Sequence, residues 1–239
     1  ARGGKPRFYS KIMYVSDRYY RYESGKKIAE LEMSLLNLQL ATHSFITDAT
    51  RFTVGTSMDS YRLGTAIGDI SGYNIQNKVY FNLFAKIEHN RLNKIYFPTK
   101  GTNVSGGAKF LFNNGKNSPL LIGDFAFKRA RSISDRITLI YSINSRLIFG
   151  QNESYFHRTF LGGVQQTNYM ENNMSFNGLH RIEINTSSAG TARLEARLRM
   201  WEKIYISAMG DIGVYSEESL MLTNQKTIYG FGVKAAYDS

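Results

Sequence analysis

The residues that could do chemistry are few and scattered. The segment Gly55-Thr56-Ser57-Met58-Asp59 carries a serine and an acid near a glycine, but it lacks the second glycine of a G-x-S-x-G nucleophile turn, so Ser57 is read as a strand residue. His43, His89, His157 and His180 are isolated, and none has a partner three or four residues on that would suit a metal. Cysteine is absent, which excludes disulfides, thiolate metal sites and a cysteine nucleophile. There is no phosphate-binding glycine loop, and Gly106-Gly107 is read as a place where backbones approach closely within a strand. Glu32, Glu195 and Asp211 form no convincing acid–base pair and are read as charges of a polar face or a loop. No catalytic residue, metal or cofactor is expected.

The elements that carry these residues have a period of two. Val79, Phe81, Leu83, Ala85 and Ile87 alternate with Tyr80, Asn82, Phe84 and Lys86. Leu194, Ala196, Leu198 and Met200 alternate with Arg193, Glu195, Arg197 and Arg199, which puts four charges on one face of a single strand. The same alternation marks strands near 8–22, 29–46, 50–61, 77–92, 101–113, 119–129, 135–149, 191–201, 203–214 and 226–237. Several match the nine to eleven residues, roughly, that a membrane-crossing strand needs. Turn residues separate them, as in Ser24-Gly25, Asn113-Asn114-Gly115, Asn117-Ser118-Pro119 and Pro98-Thr99-Lys100-Gly101. Long connections (62–76, 150–190 and 215–225) contrast with short ones (93–100, 130–134 and around Glu202), the asymmetry of an outer-membrane barrel. Between Leu31 and Leu40 the apolar parity slips, and a β-bulge near Leu35-Leu36 would restore one face; a helix over 26–40 is the competing reading.

The apolar faces could pack inward, as in a soluble sandwich, or face lipid. The charged row on 193–199 and the tyrosines at strand ends (Tyr9, Tyr14, Tyr19, Tyr20, Tyr22, Tyr61, Tyr73 and Tyr96), placed as an aromatic girdle, favour lipid. No apolar run is long enough for a membrane-spanning helix. With 30 basic against 19 acidic residues, the net charge of +11 becomes a basic lumen and loops that can meet anionic headgroups. The basic residues are spread along alternating positions and not gathered into one patch, so a nucleic-acid partner is not expected. The fold class is therefore all-β, an antiparallel transmembrane β-barrel.

Three local patterns resemble the bacterial surface antigen superfamily, the barrels of outer-membrane assembly and two-partner secretion. Phe97-Pro98-Thr99-Lys100-Gly101, after Tyr96, looks like that family's F-P-T-[KD]-G turn, where Pro98 presets φ and Gly101 can take a positive one. Phe160-Leu161-Gly162-Gly163 resembles the F-x-x-G-G that precedes a lumen-inserted loop. Glu195 and Asp211 match the acids that hold that loop's tip, and the period-two count puts both on the polar face. The resemblance implies about sixteen strands, of which about ten would lie within residues 1–239, with N-terminal domains and the last strands outside.

One departure stands out. Where assembly members carry V-R-G-[FY], this chain reads Phe176-Asn177-Gly178-Leu179-His180-Arg181. Asn177 replaces the arginine, and Arg181 could serve as a displaced partner for Glu195 and Asp211 or be a solvated loop residue. The Phe-x-Gly-Leu tip resembles the barrels attached to patatin-like phospholipases. That resemblance implies a barrel that anchors or translocates a passenger in the same polypeptide. The alternatives are an assembly or secretion factor of the superfamily, or a porin-like barrel. Expected partners are outer-membrane lipid, the passenger, and a further copy of the chain or other outer-membrane proteins, with the bacterial outer membrane as location.

Overall fold

The computed structural model describes residues 5–23, 26–68, 78–112, 119–150, 153–163, 172–217 and 224–238. Ten strands form one antiparallel sheet: β1 (Arg7–Glu23), β2 (Lys26–Thr47), β3 (Thr50–Gly68), β4 (Lys78–Asn90), β5 (Lys100–Leu111), β6 (Leu120–Ser132), β7 (Ile137–Phe149), β11 (Ser188–Arg199), β12 (Ile204–Ser216) and β13 (Lys226–Tyr237). Each pairs with its neighbour in chain order, and β7 pairs directly with β11. Between these two, β8 (Thr159–Leu161), β9 (Asn173–Met174) and β10 (Ile184–Thr186) make a small separate sheet, preceded by a 3-10 turn at Tyr155–His157. The ten main strands follow the predicted ranges closely, except that β3 continues through part of the expected 62–76 connection. The predicted turns at Ser24-Gly25, Asn113-Asn114-Gly115 and Asn117-Ser118, together with Tyr73, lie outside the described residues.

The alternation has the physical cause inferred from the sequence. Outward side chains are large and apolar, such as Phe8, Ile12, Phe81, Ile143, Phe231 and Val233, and they are left exposed over the whole outer face. Inward side chains include Ser57, Asp59, Asn82, Thr138, Arg146, Glu195, Arg197, Ser207 and Asp211, all buried. A polar interior beneath an apolar exterior inverts a water-soluble fold and suits a sheet whose solvent is lipid.

The parity slip in β2 has a different origin from the expected bulge. Register with β1 runs unbroken through Leu35 and Leu36, so no bulge sits there, and the segment is not helical. The irregularity lies on β3, where Leu31 pairs with Ala66 but Met33 with Leu63. Ala29, Leu31 and Met33 are buried on the inner face, while Leu36 and Leu40 are exposed on the outer one. Both faces are apolar because the connection between β7 and β11 covers the inner one: Tyr155, Phe156, Phe160 and Ile182 pack on Leu31 and Met33. The tyrosine girdle also needs correcting. Tyr14 and Tyr96 are exposed, but Tyr61 turns inward to stack on Phe156 at 4.4 Å, and Tyr22 stacks on His180 of the long connection.

Candidate functional site

The long connection enters the concave side of the sheet and is fixed there at its tip. Phe160-Leu161-Gly162-Gly163 and Phe176-Asn177-Gly178 meet: Phe176 N–H donates to the Gly163 carbonyl at 2.9 Å, and Gly163 N–H to the Leu179 carbonyl at 3.2 Å. Gly162, Gly163 and Gly178 have φ of 132°, 85° and 85°, a region that costs a side chain dearly. A Cβ on Gly162 would also strike the His180 carbonyl. Leu179 packs against a cluster of Leu161, Met174 and Ala189, with Ile184, Tyr215 and Ile228 around it.

Asp211 on β12 is the acceptor at the tip. Its Oδ2 takes the Asn177 backbone N–H at 2.7 Å and the Asn177 side-chain amide at 2.9 Å. Arg193, its cross-strand partner on β11, donates to both oxygens at 2.7 Å and to the Ser175 carbonyl at 3.4 Å. A bidentate guanidinium plus two amide donors satisfies the carboxylate where water is excluded. The neighbouring strand makes room. A Cβ on Gly230 or Gly232 would collide with Asn177, and one on Gly213 would press on the Phe176 ring. Gly213, Gly230 and Gly232 thus form a saddle that lets the tip lie flat on the wall.

The other predicted site residues fall elsewhere. Arg181 does not reach Glu195 or Asp211. It pairs with Asp17 on β1, where both side chains are partly exposed. Four residues on from Asn177 and past the turn at Gly178, it leaves the wall while Asn177 stays on it. Glu195 does not touch the tip either. It lies further along β11 and accepts from Arg197 at 2.8 and 3.0 Å and from Ser207 at 2.7 Å, with Lys234 at 4.0 Å.

The Phe97-Pro98-Thr99-Lys100-Gly101 turn closes the opposite end. Asn93 holds it, accepting the Thr99 and Lys100 N–H groups at 3.0 and 3.1 Å and donating to the Thr99 hydroxyl at 2.8 Å. Gly101 has φ of 114°, and a Cβ there would strike the Arg91 carbonyl. Pro98 is buried. Phe97 reaches across to β12, stacking on Tyr205 at 4.4 Å with Arg197 5.4 Å from its ring.

At its base the connection places His157 in the wall. The ring stands edge-on to Tyr80 at 4.4 Å and Tyr61 at 5.7 Å, and neither ring nitrogen finds a partner among the described residues. Burial pushes its pKa well below the usual histidine value, and the cations Lys109, Arg146 and Lys78 push it the same way, so it is neutral. Sequence reasoning named Gly178 and Asp211 but missed Asn177 as a contact, Arg193 as the bridging cation, and the glycine saddle. Arg193 pairs with Asp211 by strand register, a signal that becomes readable once β11 and β12 are set antiparallel.

A loop folded into a polar lumen and bonded at its tip to a strand acid is the arrangement that the motifs implied. A profile of the OMP85 superfamily matches residues 7–238. The chain belongs to the OMP85 superfamily. No curated protein matches it. Among solved structures, this OMP85 chain is similar to BamA from Haemophilus ducreyi lacking POTRA domains 1–3, with a TM-score of 0.53 and 13% identity. The match covers 85% of this chain and 49% of that one, so the chain spans about half of the BamA polypeptide compared. At that identity the likeness establishes the fold, an antiparallel OMP85 barrel wall; the ten-stranded sheet is not closed on itself.

Proposed function

We propose that this chain is the membrane-embedded part of a bacterial outer-membrane protein that anchors or translocates a patatin-like passenger belonging to the same polypeptide. The lipid-facing outer surface supports the location. The loop tip carries the functional reading: Asn177 occupies the place where assembly members carry arginine, and it meets Asp211 through neutral amide donors while the positive charge comes from the wall, through Arg193. A tip without its own charge fits a barrel specialised away from general assembly. No site for the passenger's chemistry is expected within this chain, and its catalytic serine would lie in the attached domain.

Fluorophosphonate labelling of the intact parent protein, purified from outer membranes, tests this. Labelling of a serine outside residues 1–239 supports a patatin-like passenger. A folded, full-length parent that takes no label rejects it. The second reading, an assembly or secretion factor, is favoured by the likeness to BamA. It predicts that depletion of the parent lowers the outer-membrane content of many unrelated barrels, whereas a dedicated anchor leaves them unchanged.

A further inference from the structure

The register of the sheet lays one row of inward side chains across five strands. Asn103 pairs with Lys128, Lys128 with Ser142, Ser142 with Arg193, and Arg193 with Asp211. The adjoining row carries Ser105, Ala126, Asn144 and Thr191 in the same order. Neighbouring strands are about 5 Å apart, so these side chains converge. They line a cavity of about 260 Å³, which Ser175 of the loop tip borders. That is slightly below the roughly 300–1,000 Å³ of cavities that hold drug-sized ligands.

Its charges do not cancel. Asp211 is the carboxylate in the lining, and both its oxygens are engaged by Arg193, one of them also by Asn177. The ammonium of Lys128 has no hydrogen-bond or ion-pair partner among the described residues. Glu195, the acid nearest in influence, is already bound by Arg197 and Ser207, and Arg197 and Lys234 add further positive charge. Arg193 uses Nε and Nη2 on Asp211, which leaves Nη1 without a partner among the described residues. The side chains of Asn103, Ser105, Ser142, Asn144 and Thr191 likewise make no hydrogen bond to other described residues. A half-buried ammonium whose nearest acid is engaged by Arg197 and Ser207, ringed by hydroxyls and amides open to water, presents a cluster of donors that an anion from outside can engage.

We infer that this cavity binds a small polyhydroxylated anion, a phosphate monoester of about monosaccharide size. Its charged oxygens sit between Lys128 and Arg193 Nη1 with the Ser142 hydroxyl donating between them. Asn103, Ser105, Asn144 and Thr191 exchange hydrogen bonds with its hydroxyls. Charge-assisted bonds supply the affinity and the neutral walls supply the selection for hydroxyls over a bare ion.

The test is calorimetric titration of the full-length protein in a non-ionic detergent with glucose 6-phosphate, inorganic phosphate and uncharged glucose. Glucose 6-phosphate is expected to bind, inorganic phosphate to bind more weakly, and glucose to give no heat. Lys128→Gln should weaken glucose 6-phosphate by about tenfold or more, while Lys128→Arg keeps it within about threefold. Lys94→Gln, on the exposed turn before β5, should leave it unchanged. Heat-modifiable gel migration establishes that each variant is folded. Absence of binding by either phosphate, or equal binding by folded Lys128→Gln, overturns the site. Equal affinity for inorganic phosphate and glucose 6-phosphate overturns its selectivity for hydroxylated anions.

Discussion

The long connection is fastened to the wall at two places that differ in kind. At β2 and β3 it is held by area: Phe156 and Phe160 pack on Leu31 and Met33, and Tyr61 stacks on Phe156. At β12 and β13 it is held by atoms: Asn177 on Asp211, Arg193 spanning Asp211 and Ser175, and glycines that leave no room for error. Apolar contact is non-directional and tolerates a swap of similar volume. A buried carboxylate with four donors does not, because removing one partner strands the others. The base of the loop is therefore read as a support, and the tip as the part with a defined geometry to make or break.

Asp211 at the tip and Phe160 at the base should give the largest effects. Asp211→Ala leaves Arg193 half-buried without its carboxylate and Asn177 without its acceptor, and should cost about 3 kcal/mol of tip anchorage. Limited proteolysis should then cut within 175–181 in a protein still folded by heat-modifiable migration; full protection would show that the tip is not held by this acid. Phe160→Ala, at a fully buried position, should lower the thermal midpoint by an amount matching about 3–5 kcal/mol, while Phe160→Leu costs far less. If Leu proved as damaging as Ala, the base would be as shape-specific as the tip. Gly230→Ala should free the tip at a cost of about 1–3 kcal/mol, since its Cβ meets the Asn177 backbone. Unchanged protease sensitivity would mean that β13 can yield.

Acid should loosen the base. His157 is neutral when folded, with a pKa well below the ordinary value of 6.5. Below about pH 6.5 the unfolded or released loop therefore binds more protons than the packed one. Stability is full above that pH and falls as pH drops toward the lowered folded value. His157→Leu should flatten this dependence, as read from loop protection between neutral and mildly acid buffers. The smallest effect belongs to Arg181→Ala. Its partly exposed pair with Asp17 is worth at most about 1 kcal/mol, so tip protection should stay within error of the parent. A large loss there would restore Arg181 as a tip residue.

Much of this was legible in the chain. The ten long strands could be read because lipid on one side and a polar lumen on the other force an unbroken period of two, as from Arg193 to Met200. The turn at Pro98 and Gly101 was legible because its backbone angles demand those residue types, and the glycines at 162–163 were legible through their resemblance to a family motif. The double-faced stretch of β2 was not, since the aromatic residues that cover Leu31 lie far along the sequence at 155–160. Arg181 was matched to the wrong acids for the same reason: charge type says that a partner is needed but not which one lies within reach.

The sequence by itself determined the antiparallel barrel wall and the inward or outward sense of most of its strands. These follow from local alternation and turn stereochemistry, which need no knowledge of distant contacts. Only the tertiary structure decided that Asn177 meets Asp211, that Phe97 crosses to Tyr205, and that Lys128 faces a polar cavity. Such contacts depend on how a curved sheet brings separated strands and a long loop to one point, and a distance of that kind is written in no single stretch of chain.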